Sequence, residues 1–494
     1  MTVPFSKIPS NLRTPLFFAE VDPSRANTAQ VQQKTLIIGQ ITSGGSAVAN
    51  VPIRSQGVTD AKAKGGAGSM LALQTAAYRQ NDPTGEVWYL PLADDGAATA
   101  AAGATAFTGP TTAAGVLSLY IGGSLVALSI ASGQTAAQVA TSVAAAINAL
   151  TDLPVTAAVD GVVTSKVNIT AKNKGLAGND IDIRINYLGG AAGEATPAGL
   201  TVTITAMTGG ATNPSLTTGL AALNDAPFDF IVSPFTDATS LAALTAFLND
   251  TTGRWSWSTQ VYGHVFTAYR GTYGALGTWG ANLNDQHHSS MGIYDTPTPA
   301  WVWSAALAGA AAVSLRNDPG RPLQYVQIAG VLAPPLASRF GLTIRNGLLY
   351  DGISTFTVDT SGAVSIDNLI TTYQHTALGQ PDDSYLQVET MFLLTYCLRR
   401  LAALVNGKYS RMKLAKNGTR FAPGLAIVTP NVIRADLIAE YEAMEFEGYV
   451  ENTAAFAAGL VVEIDTNNPN RINVLWPGDL INGLRIFALL AQFR

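Results

Sequence analysis

A glycine-rich segment is the first place where residue types and spacing could support chemistry. Gly65-Gly66-Ala67-Gly68-Ser69 precedes a predicted helix, and a helix N-terminus can bind phosphate. A P-loop requires Lys-Ser or Lys-Thr after its last glycine, where this chain has Ser69-Met70, and the GxGxxG spacing of dinucleotide-binding loops is absent. We therefore interpret the segment as an ordinary loop that enters a helix.

Two adjacent histidines, His287 and His288, lie close to Asp285 and could ligate a metal ion. Adjacent side chains point to opposite faces of a strand and diverge by roughly 100° on a helix, so they converge poorly on one ion. The other histidines, His264 and His375, are distant in sequence, and no HExxH or CxxC spacing occurs. The sequence predicts neither a metal site nor a cofactor.

The remaining reactive side chains also favour structural roles. Asp382 and Asp383 stand just before a predicted helix, where carboxylates cap the helix and complement its dipole. Cys397 falls on the apolar face of that helix, where a thiol is usually a buried small hydrophobe. The Gly-x-Ser-x-Gly elbow of serine hydrolases is absent. We therefore predict that the protein is not an enzyme.

The composition limits which kinds of partner the protein is expected to bind. The chain has 494 residues, 47% of them apolar and only 13% charged, with a net charge of −5 and one cysteine. Such a weakly charged surface resists self-association less than usual. No basic run is apparent, so nucleic acid is not an expected partner.

No targeting or membrane segment is predicted. Residues Met1–Pro15 do not have the pattern of a signal peptide, and the Ala-rich stretch 301–315 is too short to span a bilayer. We expect no membrane association and synthesis in a cytoplasm.

Predicted strands and helices alternate over much of the chain. Strands predicted at 35–41, 86–90, 228–233, 261–267 and 289–294 alternate with helices at 69–79, 239–248 and after Pro299 as far as Asn317. This alternation is typical of an α/β sheet with helices on its faces.

A β-rich segment from about 94 to 215 interrupts that pattern. We interpret its Ala/Gly/Thr tract, residues 96–112, as a flexible connection. A hairpin is predicted across Gly122-Gly123-Ser124, followed by a helix that begins with a capping box at Thr135 and Gln138. Alternating strands are predicted at 162–171, 181–187 and 200–206. The segment is therefore predicted to be an inserted β-rich domain.

The last third begins near residue 367 and combines helices with short strands. One helix is predicted at 384–405, stopped by Asn406-Gly407, and a second begins at Thr429-Pro430. Two strands, 459–465 and 471–475, flank a turn at Asn467-Asn468-Pro469. The overall prediction is a multidomain fold that combines α/β and α+β parts.

Both chain ends are apolar and prone to form strands. An exposed end of this kind would promote aggregation, so it either docks within its own subunit or adds a strand to a neighbour. We predict strand donation by the following apolar residues: Leu16, Phe17, Phe18, Val21, Leu484, Ile486, Phe487, Leu489, Leu490 and Phe493.

One patch concentrates negative charge, at Glu440, Glu442, Glu445 and Glu447. A solvated helix face carries somewhat more weight than the alternative, which is a contact with a basic surface on a partner.

Many segments along the chain resemble tail sheath proteins of Mu-like contractile-tailed phages. The resemblance runs from FSKIPSNLRTPLFFAEVD at the N-terminus through AKNKGLAGNDIDIRINY, GRWSWSTQVYGHVFTAYRGT and NDPGRPLQYVQIAGVLAPP. It continues through FAPGLAIVTPNVIRADLIAEYEAME to NPNRINVLWPGDLINGLRIFALLAQF. None of these segments is catalytic in that family.

The resemblance implies a division of the chain and a role. It implies an N-terminal arm (1–25), an α/β sheath domain (26–93 with 216–366), an outward-facing inserted domain (94–215), a tube-proximal α+β domain (367–482) and a C-terminal strand arm (483–494). It further implies hexameric rings stacked around a tail tube, contraction that drives the tube through the host envelope, and genome delivery. The implied partners are other copies, the tail tube, baseplate and terminator proteins, and the implied location is the virion tail, assembled in the host cytoplasm.

Two other functions fit parts of the sequence. The strand–helix alternation and Gly65–Gly68 would suit a nucleotide-binding α/β enzyme. The low charge and richness in Thr, Ala and Gly would suit a surface-layer or adhesin protein, although no secretion signal is present.

Overall fold

The computed structural model describes residues 33–493. Residues 33–93 alternate strands and helices, as predicted. The apolar run at Thr35 forms a fully buried strand, and Ser69 caps the helix after the glycine-rich loop by accepting a hydrogen bond from the Ala72 amide. The elements are β1 (Thr35–Gln40), β2 (Ile53–Arg54), α1 (Val58–Gly65), α2 (Met70–Asn81) and β3 (Val87–Leu92).

The next segment, 94–215, is rich in strands, as predicted. The hairpin turn at Gly122-Gly123 is confirmed, with φ values of 56° and 83° that favour glycine. The capping box of Thr135 and Gln138 is also confirmed. The elements are β4 (Ala102–Thr108), β5 (Gly115–Ile121), β6 (Ser124–Ile130), α3 (Ala136–Ala149), β7 (Val155–Val159), β8 (Lys166–Ala171), β9 (Ile183–Ile185) and β10 (Thr201–Thr208).

The prediction of a flexible connection at 96–112 is wrong. Strand β4 lies within this tract, between β10 and β8 of a four-stranded sheet. A Cβ on Gly103 would come within 2.8 Å of the Thr205 carbonyl oxygen, so the position tolerates no side chain. The small residues therefore allow close packing of neighbouring strands. The strand was not predicted because an Ala/Gly/Thr composition is also typical of flexible connections. Strand β7 was likewise not predicted.

Strand–helix alternation resumes after residue 215. The helix predicted after Pro299 is confirmed and ends at Asn317, as expected. The elements are α4 (Thr217–Ala221), β11 (Phe230–Val232), α5 (Ala238–Leu248), β12 (His264–Arg270), α6 (Tyr273–Gly280), β13 (His288–Ile293), α7 (Ala300–Asn317), α8 (Leu342–Tyr350), β14 (Thr355–Val358) and β15 (Val364–Asn368).

Strands from both sides of the insert form one six-stranded sheet in the order β13-β12-β11-β1-β3-β2. All neighbours pair in parallel except β2 with β3. One face packs on α2 and α7, where Trp303 is completely buried. The other face shares a hydrophobic core with residues of the insert, among them Leu117 and Val139. This arrangement confirms the predicted α/β architecture with a β-rich segment inserted.

The C-terminal part has its own small core around Tyr441, which stacks on Phe456 with ring centroids 3.7 Å apart. The helix beginning at Thr429-Pro430 and the hairpin around Asn467 are confirmed. The elements are α9 (Val388–Tyr409), β16 (Lys413–Leu414), β17 (Ile427–Val428), α10 (Pro430–Phe446), β18 (Val450–Glu451), α11 (Thr453–Gly459), β19 (Val461–Ile464), β20 (Ile472–Leu475) and β21 (Asp479–Leu480).

Helix α9 differs from its prediction at both ends. It begins at Val388, so Asp382 and Asp383 do not cap it, and Asp382 instead accepts hydrogen bonds from Ser384 and the Tyr373 hydroxyl. It also continues through Asn406-Gly407 to Tyr409. The first turns of α9 pack into the core beneath the six-stranded sheet, and its middle packs into the C-terminal core. One helix therefore belongs to both hydrophobic cores.

Candidate assembly surfaces

The C-terminal segment is apolar and uncovered in the single chain. It has no strand after β21 within the described residues, and its large side chains point into solvent. The six side chains predicted to donate a strand have the following exposed fractions: Leu484 70%, Ile486 83%, Phe487 80%, Leu489 76%, Leu490 83% and Phe493 97%. A contiguous patch of this kind marks an interaction site on a folded protein.

The base of this segment is fixed to the subunit. Arg485 Nη2 lies 2.7 Å from Glu389 Oε2, and Glu389 is only 4% exposed. The other carboxylate oxygen of Glu389 accepts a hydrogen bond from the Leu323 amide at 2.6 Å. Gln324 Nε2 donates to the Leu484 carbonyl at 3.0 Å. The apolar segment therefore leaves the subunit from a defined point at the start of α9.

Open strand edges lie in the same part of the molecule. Strands β19 and β20 form a two-stranded sheet that has no further strand within residues 33–493. Val461, Val474 and Leu475 on this hairpin are 45%, 45% and 62% exposed. A two-stranded sheet with apolar side chains and free edges is suited to receive a further strand.

The predicted N-terminal residues, Leu16, Phe17, Phe18 and Val21, lie outside the described residues. Their role as an inter-subunit arm stays a prediction.

The acidic cluster is partly used inside the subunit. Arg400 pairs with Glu440 at 2.7 Å and also with Glu447. Glu445 accepts hydrogen bonds from the amide and hydroxyl of Thr453, whereas Glu442 is exposed and has no such contact within the described chain. The four carboxylates and one guanidinium leave a local excess of negative charge. The contact between this acidic cluster and a basic surface on a partner therefore stays a prediction. Glu442 is the member of the cluster that makes no such internal contact within the described residues.

The glycine-rich loop is occupied by the insert. The Met70 amide, at the start of α2, donates to Asn173 Oδ1 at 2.9 Å, and Lys172 Nζ donates to the Ala67 carbonyl at 3.2 Å. A Cβ on Gly68 would lie 2.2 Å from the Leu153 carbonyl oxygen, which shows how closely the insert approaches. The amide that could face a phosphate is therefore bonded to the protein itself.

The insert is bonded to the sheet at the carboxyl end of β1. Open α/β sheets usually bind ligands at the carboxyl ends of the strands where chain order reverses, here between β1 and β11. Gln40, the last residue of β1, donates to Asp94 Oδ1 and to the Lys174 carbonyl, both at 2.7 Å. Asn173 Nδ2 donates to the Ile41 carbonyl at 3.0 Å. These bonds join the insert to the sheet next to the point where chain order reverses.

Three of the four histidines, His264, His287 and His288, are buried and hydrogen-bonded within the fold. The imidazole of His264 bonds to Ser289 Oγ at 2.8 Å, and that of His288 bonds to Thr267 Oγ1 at 2.7 Å. His287 bonds to Asp250 at 2.9 Å and stacks on Trp255. Within residues 33–493, no group of three or more potential ligands could hold a metal ion.

We expect the buried His288 to make stability fall in mild acid. Burial lowers the pKa of His288 to about 4, below its usual 6.5, so the unfolded chain binds the proton more readily below pH 6.5. Stability should therefore fall from pH 6.5 towards pH 4. In urea titrations at pH 7 and pH 5, His288→Gln should reduce this loss by about 1–2 kcal/mol.

His375→Gln, at an exposed position, is the matched control and should leave the pH dependence unchanged. An equal pH dependence in wild type and His288→Gln would contradict this prediction.

Cys397 is buried in the C-terminal core, as its position on the apolar helix face predicts. Burial raises the pKa of its thiol to about 12, which keeps it protonated and unreactive.

Sequence reasoning missed two charged features. The first is a buried ion pair between Asp229 at the start of β11 and Arg399 on α9, 2.5 Å apart. The second is a basic segment, 408–420, with five cations in thirteen residues and no acidic residue between them. Charge counts over short windows would have revealed the second, whereas nothing in the sequence pairs Asp229 with Arg399.

No helix of the described chain is long and apolar enough to cross a membrane.

Comparisons with known proteins agree on one family. Residues 209–372 match a family model described as the phage tail sheath protein central domain, and residues 380–494 match the phage tail sheath C-terminal domain. A relative from Haemophilus influenzae, the Mu-like prophage FluMu tail sheath protein, is 38% identical and is matched over 100% of both chains.

Solved structures are also similar, at low identity. A sheath tail protein from Desulfitobacterium hafniense has 13% identity and a TM-score of 0.49, with 96% of this chain and 97% of the other covered. A sheath tail protein from Listeria innocua has 12% identity and a TM-score of 0.47, with 91% and 92% covered.

Proposed function

This chain belongs to the phage tail sheath family, and from that premise we propose that it polymerises as stacked hexameric rings around a tail tube by exchanging strands between subunits. It is a structural tail component and not an enzyme. The observation that carries the proposal is the exposed apolar segment 484–493, anchored at its base by Arg485. In this proposal the segment pairs with the β19–β20 hairpin of a neighbouring subunit.

Strand exchange suits an assembly that must hold together while it moves. About six to eight hydrogen bonds in one donated strand, at roughly 0.5–1.5 kcal/mol each, give a modest gain for a single pair. The gain becomes large when each subunit both donates and receives strands. The N-terminal residues Leu16–Val21 are proposed to supply a second donated strand.

The proposed working cycle follows from repacking of folded subunits. A signal from the baseplate releases the extended sheath, which shortens and widens as subunits move to a more stable arrangement. The tube is then driven through the host envelope for genome delivery, without nucleotide hydrolysis. The proposed partners are the tail tube, baseplate and terminator proteins, and the proposed place of assembly is the host cytoplasm.

Electron microscopy of the purified protein tests the ring proposal. Negative staining should show ringed tubes, and averaged end views should show sixfold symmetry. A fivefold or sevenfold ring would refute hexamers, and a protein that stays monomeric at high concentration would refute autonomous polymerisation.

A further inference from the structure

A basic and apolar surface lies at the start of helix α10. We define the basic loop as Arg411, Lys413, Lys416 and Arg420, together with the apolar residues Met412, Phe421 and Leu425. All four cations are exposed, and none forms an ion pair within the described residues. The apolar members are 41%, 41% and 53% exposed, respectively.

The fold holds this loop in place. Strand β16 pairs with β17, which joins its two ends, and the Asn431 amide at the start of α10 donates to Asn417 Oδ1 at 3.0 Å. Lys408 beside it is neutralised by Asp436, 2.5 Å away. The remaining cations are therefore presented on a defined surface instead of being spread along a free linker.

A surface of opposite character lies at the other end of α10. The acidic face consists of Glu440, Glu442, Glu445 and Glu447 around Phe446, which is 94% exposed. Both surfaces thus combine exposed apolar and charged side chains, as protein interfaces do. The four glutamates lie about 15–25 Å along α10 from its first residue, and those that form ion pairs within the described residues pair with Arg400 and not with the basic loop.

Outside the basic segment, the chain has a net negative charge that could attract the basic loop of another copy. Of the 29 cations, 5 lie in residues 408–420, so 24 cations remain against 34 acidic residues, a net charge of −10. We propose that the basic loop of one copy docks on the acidic face of the next copy, with Phe446 packed against Met412, Phe421 and Leu425. Because the two surfaces differ, the contact is head-to-tail and can repeat indefinitely or close a ring.

This contact deepens the proposed function, since the second copy would be another sheath subunit, and charge reversal tests it. Glu442→Lys and Lys416→Glu touch no internal ion pair. Each variant should reduce the yield of sedimentable polymer at least about tenfold. A chain with both substitutions, or a mixture of the two single variants, should recover most of the wild-type yield.

Asp383→Lys is a matched control at an exposed position outside both surfaces, and should polymerise normally. Circular dichroism should show all variants folded. Normal tubes from both single variants would overturn the proposed contact while leaving the sheath function intact. Reduced yield without recovery in the combined variant would show that the two surfaces do not meet each other.

Two further measurements distinguish other occupants of the basic loop. If Lys416→Glu polymerises normally but loses binding to purified tail tube, the loop serves the tube and the proposal is wrong. If wild-type protein binds a single-stranded DNA oligonucleotide with steep salt dependence, and Lys416→Glu loses only that binding, the loop is a nucleic-acid site and the proposal is equally wrong.

Discussion

A chain that stops after Arg485 should fold and remain soluble but form no tubes. The truncation removes the exposed residues from Ile486 onward and retains the Arg485–Glu389 ion pair and the Gln324 contact with Leu484. These residues contribute almost nothing to the subunit's own core, because their side chains are 76–97% exposed at the large apolar positions. Folding should therefore be unaffected, whereas every strand that depends on this segment should be lost.

Sedimentation velocity and negative-stain microscopy would measure the result. The truncated chain should sediment as a monomer at concentrations where the full chain forms particles. A second variant keeps the length but replaces Phe487 and Leu489 with Ser, and it should be equally defective, because the buried apolar side chains give a donated strand much of its affinity.

Replacement of Arg494 with Ser serves as the control for the segment's charge and should leave tubes intact. Long tubes from the truncated chain would contradict strand exchange by the C-terminus. They would not by themselves remove the protein from the sheath family, which rests on the sequence match over the full chain.

Arg399→Met should be among the most destabilising single substitutions in the protein. Arg399 Nη1 lies 2.5 Å from Asp229 Oδ1, and Asp229 is only 2% exposed. Burial raises the pKa of Asp229 even though Arg399 opposes this effect. Removal of the guanidinium would leave a buried carboxylate without its partner, at a cost of about 3–5 kcal/mol.

Urea denaturation of the variant chains would measure this cost. Asp229→Asn combined with Arg399→Met should be less destabilised than Arg399→Met alone, because the double variant buries no charge. The loss in Arg399→Met should also be smaller at pH 5 than at pH 8, since a raised pKa lets the folded state take up a proton as the pH falls. Arg420→Met, at an exposed position, should change stability by no more than about 0.5 kcal/mol.

A loss for Arg399→Met no larger than that of the exposed control would contradict the importance of the ion pair. A double variant as unstable as the single one would assign the loss to the guanidinium contact with Tyr262, where Arg399 Cζ lies 5.6 Å from the ring centroid.

Local sequence signals predicted most of the helices and strands. The continuous apolar run at Thr35, the Thr135–Gln138 capping box and the Thr429-Pro430 helix start each have one dominant physical interpretation, and all three were confirmed. The errors arose where tertiary contacts overrode a local signal. Apart from Phe107, strand β4 consists of Ala, Gly and Thr, and at Gly103 a neighbouring strand approaches closely. Helix α9 passes through Asn406-Gly407 instead of stopping there.

The exposed surfaces were harder to predict from the sequence than the helices and strands. The apolar character of residues 484–493 indicated that they need a partner, yet only the structure shows that the subunit leaves them uncovered. The hydrogen bonds of Asn173 and Lys174 to Met70 and Gln40 join residues more than a hundred positions apart, so no local pattern could reveal them. The family resemblance was predictable because it rests on many segments spread over the whole chain.

Helix α9 has a mechanical consequence. Phe392 stacks on Phe230 beneath the sheet, with ring centroids 4.9 Å apart, and one turn later Cys397 lies in the C-terminal core. The two halves of the subunit are thus joined by one continuous helix about 33 Å long. A rotation of the C-terminal core would be carried through this helix to the six-stranded sheet.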